Sequence, residues 1–109
     1  MGYKETAPTT YVVFWPESRV IKAGYSAFQR WRKFVIQGAQ VVKLVEFPSC
    51  TEAFALESRI MEKLRSDYEY AFDTLDESRG LLGPDGGGWC ECFQLPPGVS
   101  PTDAIGAVK

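Results

Sequence analysis

The order of hydrophobic and polar positions along the chain predicts a small antiparallel sheet. Residues 10–15 (Thr-Tyr-Val-Val-Phe-Trp) are aromatic and β-branched, as is typical of a strand, and residues 19–25 predict a second strand after a Pro-Glu-Ser turn. Residues 40–47 form a third, nearly continuous apolar run. The first two strands predict a hairpin with Tyr11 opposite Lys22, and a two-residue change of register leaves both side chains on one face.

Two other segments have the periodicity of helices. In residues 26–37 apolar side chains recur at helical spacing, and Ser26 is suited to cap the N-terminus. In residues 51–68 the apolar positions recur every three or four residues, and Thr51 is the predicted cap. Strands and helices alternating in this way predict an α+β fold, with a three-stranded mixed or antiparallel sheet flanked by helices.

The length of 109 residues and the 45% hydrophobic content predict one small domain with a single core. We expect a flexible N-terminus over residues 1–8, a folded domain over 9–95 and a mobile proline-containing tail over 96–109. Within the domain, residues 69–82 predict a short helix and residues 89–94 an extended segment that closes the core. No apolar run is long enough to span a membrane and no signal peptide is visible, so we expect a cytoplasmic protein.

Glu57 occupies a position where the second helix requires a hydrophobic side chain. Its carboxylate points into the middle of the apolar stripe, and burying it costs several kcal/mol unless a cation, a metal ion or good donors meet it. Two interpretations remain open at this point. Glu57 either forms a structural ion pair, for example with Arg30, or belongs to a functional site.

The basic residues are concentrated in one stretch of a chain whose net charge is −2. Residues 19–45 contain no acid, and their bases are Arg19, Lys22, Arg30, Arg32, Lys33 and Lys43. Aromatic residues lie between these bases, a pattern that favours a surface contacting phosphates, with Arg32 and Lys33 as substrate-binding residues. The alternative is an ordinary solvated helix face balanced by acids elsewhere in the fold.

Several kinds of chemistry are excluded by composition. The chain has no histidine, so Ser-His and Cys-His nucleophiles are impossible and a general base must be Tyr, Lys, Asp or Glu. The odd number of three cysteines favours packing roles, and Cys90 and Cys92 are predicted to share one face of a strand. The glycine-rich run 83–88 lacks the Lys-Ser/Thr of a P-loop, which argues against nucleotide binding.

The order strand, strand, helix, strand, helix carries residues that resemble the GIY-YIG nuclease superfamily. These residues are Tyr11, the run Lys22-Ala23-Gly24-Tyr25-Ser26, Arg30 and Glu57. The chain is most similar to small variants, frequent in phages, in which lysine replaces the second motif tyrosine. The likeness covers residues 9–94, and the run Gly-Gly-Trp-Cys-Glu-Cys-Phe at 87–93 resembles the ending of such variants.

This resemblance implies a metal-dependent endonuclease that hydrolyses DNA phosphodiester bonds. It implies that Tyr11 is the general base or orients the water, and that Lys22 stabilises the phenolate. It further implies that Arg30 clamps the phosphate and that Glu57 is the ligand of Mg²⁺ or Mn²⁺. If the gene belongs to a phage, the protein acts in the cytoplasm of the bacterial host.

The remaining substrate-binding residues implied by the resemblance are Gly24 as the motif glycine and Arg32 as a substitute for Arg30. Tyr25 is a secondary candidate, and its alternative role is to pack on the first helix. A different class of function is also open, because the same fold would serve a catalytically silent domain that binds nucleic acid or protein.

Overall fold

The computed structural model describes residues 7–84, 86 and 88–106, which form an α+β fold. The strands are β1 (Thr9–Trp15), β2 (Val20–Ser26), β3 (Gln40–Glu46) and β4 (Cys92–Gln94), and the helices are α1 (Trp31–Ile36), α2 (Cys50–Asp67), α3 (Leu75–Leu82) and α4 (Pro101–Ile105). All neighbouring strands are antiparallel, in the order β3-β1-β2-β4. The predicted class is confirmed. The predicted number of three strands is wrong, because the extended segment near the C-terminus pairs with β2 as a fourth.

The hairpin of β1 and β2 has a longer loop than the two-residue turn predicted. Four residues separate the strands, and the last of them, Arg19, has a left-handed φ of 56°. Tyr11 therefore pairs with Gly24, and Lys22 pairs with Val13. The direct pairing of Tyr11 with Lys22 is wrong by two residues. Because a shift of two conserves the face, the two side chains still lie on the same side of the sheet.

Helices cover both faces of the sheet and create two hydrophobic clusters. On one face, Val12 and Ile21 pack with Leu56 and Ile60 of α2, and α4 extends this cluster. The opposite face belongs to a second cluster, whose members are Tyr11, Val13, Trp15, Val20, Phe34, Ala39, Leu82 and Cys92. Lys22 shares this second face, since it pairs with both Val13 and Cys92.

The first helix begins four residues later than predicted, since its N-cap is Arg30 and not Ser26. Ser26 ends β2, and its hydroxyl accepts a hydrogen bond from the Phe28 N–H at 2.9 Å, which makes a local turn instead of a helix cap. Gln29 then has a left-handed φ of 55°, so the helix can start only after it. Arg30 consequently occupies the N-cap position of α1.

The helix that carries Glu57 is anchored at its N-terminal half. Its cap is Ser49, whose hydroxyl accepts from the Glu52 N–H, and not Thr51 as predicted. The buried hydroxyl of Thr10 in β1 donates to the carbonyl of Ala53 at 2.6 Å. Glu57 follows Ala53 by one helical turn, so this bond fixes its height relative to β1. Within the described part of the chain, α2 and the other helices are too short or too polar to cross a membrane.

The segment assigned to a mobile tail contains α4. Ser100 caps this helix by accepting from the Asp103 N–H, and Pro101 occupies its first turn. Ala104 and Ile105 are buried against the cluster formed with α2. Residues 107–109 of the predicted tail, and residues 1–6 of the predicted flexible N-terminus, lie outside the described residues.

The cysteines do not share one environment. Cys50 and Cys90 are exposed and Cys92 is buried. The prediction that Cys90 and Cys92 share a face of one strand is wrong, because Cys90 belongs to a 3₁₀ turn, Trp89–Glu91, that precedes β4. Burial raises the pKa of the Cys92 thiol to about 12, so this thiol stays protonated and packs as an apolar group.

Candidate functional site

A cavity of about 360 Å³, called the cleft below, opens beside β2 and the start of α1. Its wall includes Tyr11, Lys22, Gly24, Arg30, Gly88 and Glu91, together with Tyr25, Phe28 and Cys50. Three of the four predicted catalytic side chains, those of Tyr11, Lys22 and Arg30, therefore line one cavity. The fourth, Glu57, does not line it.

Lys22 is a buried cation in the floor of the cleft, with only 2% of its surface exposed. Its Nζ donates to the Tyr11 hydroxyl at 3.4 Å and lies 3.7 Å from Oε1 of Glu91. The same ammonium lies 5.1 Å from the centroid of the Phe34 ring, within the range of a cation–π contact. A buried ammonium needs such partners, so Lys22 links the phenol of Tyr11 to the carboxylate of Glu91.

Two glycines allow the backbone to approach these side chains closely. A Cβ at Gly24 would lie 2.6 Å from Cζ of Tyr11, and a Cβ at Gly88 would lie 2.6 Å from Nζ of Lys22. Gly88 also has a φ of +77°, a conformation that other residues rarely adopt. The end of the glycine-rich run therefore closes over Lys22, a role that the sequence did not indicate.

Substitution of Gly24 by alanine is expected to displace the Tyr11 ring and destabilise the protein by roughly 1–3 kcal/mol, as overpacking does elsewhere. The matched control is Gly80→Ala in α3, where an added Cβ meets nothing within 4 Å. That change should be neutral or stabilising, because alanine is the better helix former. Thermal unfolding of both variants tests the contact, and equal melting temperatures would contradict it.

Glu57 and Glu91 form a pair of carboxyl groups, of which Glu91 lines the cleft and Glu57 lines a separate depression along α2. Glu57 belongs to α2, on the opposite face of the sheet from Lys22, and only 7% of its surface is exposed. Glu91 directly precedes Cys92, whose pairing with Lys22 is the last between β2 and β4. Burial, followed by the charge of Glu91 and a hydrogen bond with it, raises the pKa of Glu57 to about 7.

Cations near Glu57 oppose this rise in its pKa only in part. Lys22 contributes more than Arg65, and both act to lower the pKa. The sequence predicted a positive partner for Glu57, whereas after burial the largest influence on its pKa is another carboxyl group, that of Glu91. Among the described residues the ion pair of Lys22 is with Glu91, and Glu57 forms no salt bridge with Arg30. The predicted structural alternative, a Glu57–Arg30 bridge, is therefore not observed.

Glu91 is the site residue that the sequence did not identify. It lies within the run 87–93, for which the resemblance implies no individual catalytic role. A usable signal was present, because Glu91 is a single acid inside the apolar run Trp-Cys-Glu-Cys-Phe at 89–93. Glu57 is likewise a single acid among apolar positions, those of the α2 stripe.

The carboxyl pair decides which metal ions suit the site. Within residues 7–84, 86 and 88–106, no group of three or more Asp, Glu or Cys side chains is arranged to hold a metal ion. The donor set is therefore limited to Glu57 and Glu91. Mg²⁺ commonly binds through one or two carboxylates and completes its shell with water, so the two residues fit this ion and do not fit a closed zinc site.

Of the other predicted substrate-binding residues, Tyr25 lies in the wall of the cleft, whereas Arg32 and Lys33 do not. The Tyr25 ring contacts Phe54 of α2 at 5.4 Å between centroids. Arg32 stacks over the Trp31 ring and Lys33 lies near the Phe34 ring. Neither base lines the cleft, so Arg32 does not replace Arg30 there.

The site combines groups that bind an oxyanion with groups that bind a cation. Lys22 and Arg30 supply positive charge, Tyr11 supplies a hydroxyl, and the two glutamates supply carboxylates. The chain matches no protein-family model, no curated protein and no solved structure. Its function must therefore be inferred from these groups.

Proposed function

We propose that the protein is a Mg²⁺-dependent DNA endonuclease of the GIY-YIG type that hydrolyses phosphodiester bonds. The observation that carries this proposal is that Tyr11, Lys22, Arg30 and Glu91 line one cleft, while Glu57 is in hydrogen-bond contact with Glu91. Phosphodiester hydrolysis needs an oriented water, positive charge on the phosphoryl oxygens and stabilisation of the leaving alkoxide. The groups at the cleft supply these requirements.

The roles of the three cleft residues follow from their surroundings. The Tyr11 hydroxyl accepts a hydrogen bond from Lys22 at 3.4 Å, which holds the phenol oxygen in place to orient the attacking water. The Arg30 side chain is exposed at the N-cap of α1 and makes no capping bond. Its planar guanidinium is therefore available to bind two phosphate oxygens at once.

The two glutamates hold the metal ion in this proposal. Mg²⁺, when bound, would supply positive charge to the phosphoryl and leaving-group oxygens. Glu57 and Glu91 are the residues that would hold it, with Mn²⁺ as a substitute of similar preference for oxygen ligands. Lys22 partly compensates the negative charge of Glu91, since its Nζ lies 3.7 Å from Oε1 of that carboxylate.

The test compares two neighbouring arginines on α1 and its cap. Arg30→Ala is expected to lower the rate of plasmid nicking in Mg²⁺ by about a hundredfold, the usual cost of losing a group that stabilises transition-state charge. Arg32→Ala should change it only a few-fold, because Arg32 does not line the cleft. Relaxation of supercoiled plasmid on gels, with EDTA as the metal-free control, measures both. Equal losses in the two variants would contradict the proposed clamp.

A catalytically silent DNA-binding domain is the second candidate. It is favoured by the position of Arg32 and Lys33, which present positive charge outside the cleft. Binding that weakens with salt, without nicking in Mg²⁺ or Mn²⁺, would select this candidate.

A further inference from the structure

A second depression, of about 410 Å³, adjoins the cleft and is called the basic groove below. Its lining consists of Phe28, Gln29, Arg30, Arg32, Lys33 and Ile36. Three of these six residues are cations and none is an acid. Phe28 and Arg30 line both the groove and the cleft, so the two depressions are adjacent and share these two side chains.

The basic groove also presents apolar surface to solvent. Phe28 is 50% exposed and Ile36 is 86% exposed. Phe28 lies in a loop held by the hydrogen bond from its N–H to the Ser26 hydroxyl and by the left-handed backbone of Gln29. A left-handed conformation costs a residue such as glutamine roughly 1 kcal/mol or more, and such strain is concentrated at functional sites. The loop thus holds an aromatic ring beside three cations.

We propose that the basic groove binds unpaired nucleotides next to the scissile phosphate, with Phe28 stacked on a base and Arg32 and Lys33 contacting the flanking phosphates. This inference rests on the proposed nuclease function, and it specifies the substrate as DNA with a single-stranded segment.

The combination of ring and cations distinguishes a single strand from a duplex. A duplex presents phosphates to cations, but its bases are stacked and paired, so their faces are not available to an exposed ring. An unpaired base offers that face, and stacking on an aromatic side chain contributes about 1–3 kcal/mol per base. Because Arg30 lines both depressions, a strand bound in the groove would have a phosphate within reach of the cleft at this residue.

Binding measured in EDTA tests this inference without cleavage. Fluorescence anisotropy would compare a labelled single strand, a duplex of the same sequence and a duplex with splayed single-stranded arms. Phe28→Leu keeps an apolar side chain but removes the ring, and it should weaken binding of the single strand and of the splayed duplex by about tenfold. Phe28→Trp should retain that affinity. The fully paired duplex should change by less than about twofold in both variants, since it makes phosphate contacts only.

Leu44→Ala is the control for exposed apolar surface, because Leu44 lies on β3 and does not line the groove. Loss of duplex binding equal to that of the single strand, or no loss in Phe28→Leu, would overturn the inference. A dimer of the free protein that Phe28→Leu dissociates, detected by light scattering, would assign the groove to a second copy and overturn it too.

Failure of this inference is distinguishable from failure of the proposed function. Nicking in Mg²⁺ without any effect of Phe28 on single strands would remove the role of the groove and leave the nuclease. Phe28-dependent binding of single strands without nicking would contradict the proposed nuclease function. It would also contradict the part of this inference that places a scissile phosphate beside the groove.

Discussion

Glu57→Gln is expected to lower the rate of Mg²⁺-dependent plasmid nicking by at least about a hundredfold. The change preserves the size of the side chain and removes the negative charge that a hard cation requires. Because Glu57 is 7% exposed and contacts Glu91, glutamine can keep a hydrogen bond with that carboxylate. Initial rates over a range of Mg²⁺ concentrations would show whether the loss reflects metal affinity.

The stability of Glu57→Gln distinguishes a metal-binding role of Glu57 from a structural role. At about pH 8 Glu57→Gln should be as stable as the wild type or more stable, since a buried carboxylate is costly and an amide is less so. The control is Glu52→Gln, an exposed acid in the first turn of α2, which should nick at the wild-type rate. Wild-type nicking by Glu57→Gln would remove Glu57 from the mechanism. A strongly destabilised Glu57→Gln would instead indicate a structural carboxylate.

The strands and the helix that could be predicted are those in which apolar, buried residues recur at regular spacing along the sequence. Alternating or continuous apolar runs predicted β1, β2 and β3 to within about two residues, because each strand is tied into the sheet along its length. The amphipathic stripe of α2 was equally clear, since Ala53, Leu56, Ile60 and Leu64 face the core. Local pattern and tertiary packing agree in these elements.

Local pattern failed where backbone turns decided the structure. Residues 26–30 have apolar spacing suitable for a helix, yet the Ser26 hydroxyl and the left-handed Gln29 hold them in a loop. The sequence of the short α4 contains a pattern that favours a helix, a serine cap followed by Pro101. The prolines of this segment instead led to the prediction of a mobile tail. The hairpin register depended on a four-residue loop that the turn sequence did not specify.

The site was predictable on the hairpin and only in part elsewhere. Side chains alternate between the two faces along a strand, so Tyr11 and Lys22 stay on one face when the hairpin register shifts by an even number of residues. Their proximity could therefore be predicted. The approach of Glu57 to Glu91 joins α2 to the segment before β4, which lie 34 positions apart in sequence, and no local pattern encodes it. A buried acid in a sequence indicates that a partner is required, but it does not identify that partner.

The raised pKa of Glu57 is expected to make the protein less stable as pH increases. The ordinary value is 4.5 and the folded value is about 7, so between these limits the folded state retains a proton that the unfolded chain has released. The free energy of unfolding should therefore fall from pH 4.5 to 7, by on the order of 3 kcal/mol from this group. Denaturant unfolding at a series of pH values measures the fall, and subtracting the curve of Glu57→Gln isolates it.

The same titration determines when Mg²⁺ can bind, because the metal ion needs the deprotonated carboxylate. Mg²⁺ should thus raise the melting temperature above about pH 7 and have little effect near pH 5. Glu91→Gln removes a charge that raises the pKa of Glu57, so the pH-dependent fall should move to lower pH in that variant. If Mg²⁺ stabilises Glu57→Gln as much as the wild type, the ion binds elsewhere. A wild-type curve parallel to that of Glu57→Gln would mean that the pKa of Glu57 is the same in the folded and the unfolded protein, which would contradict the prediction.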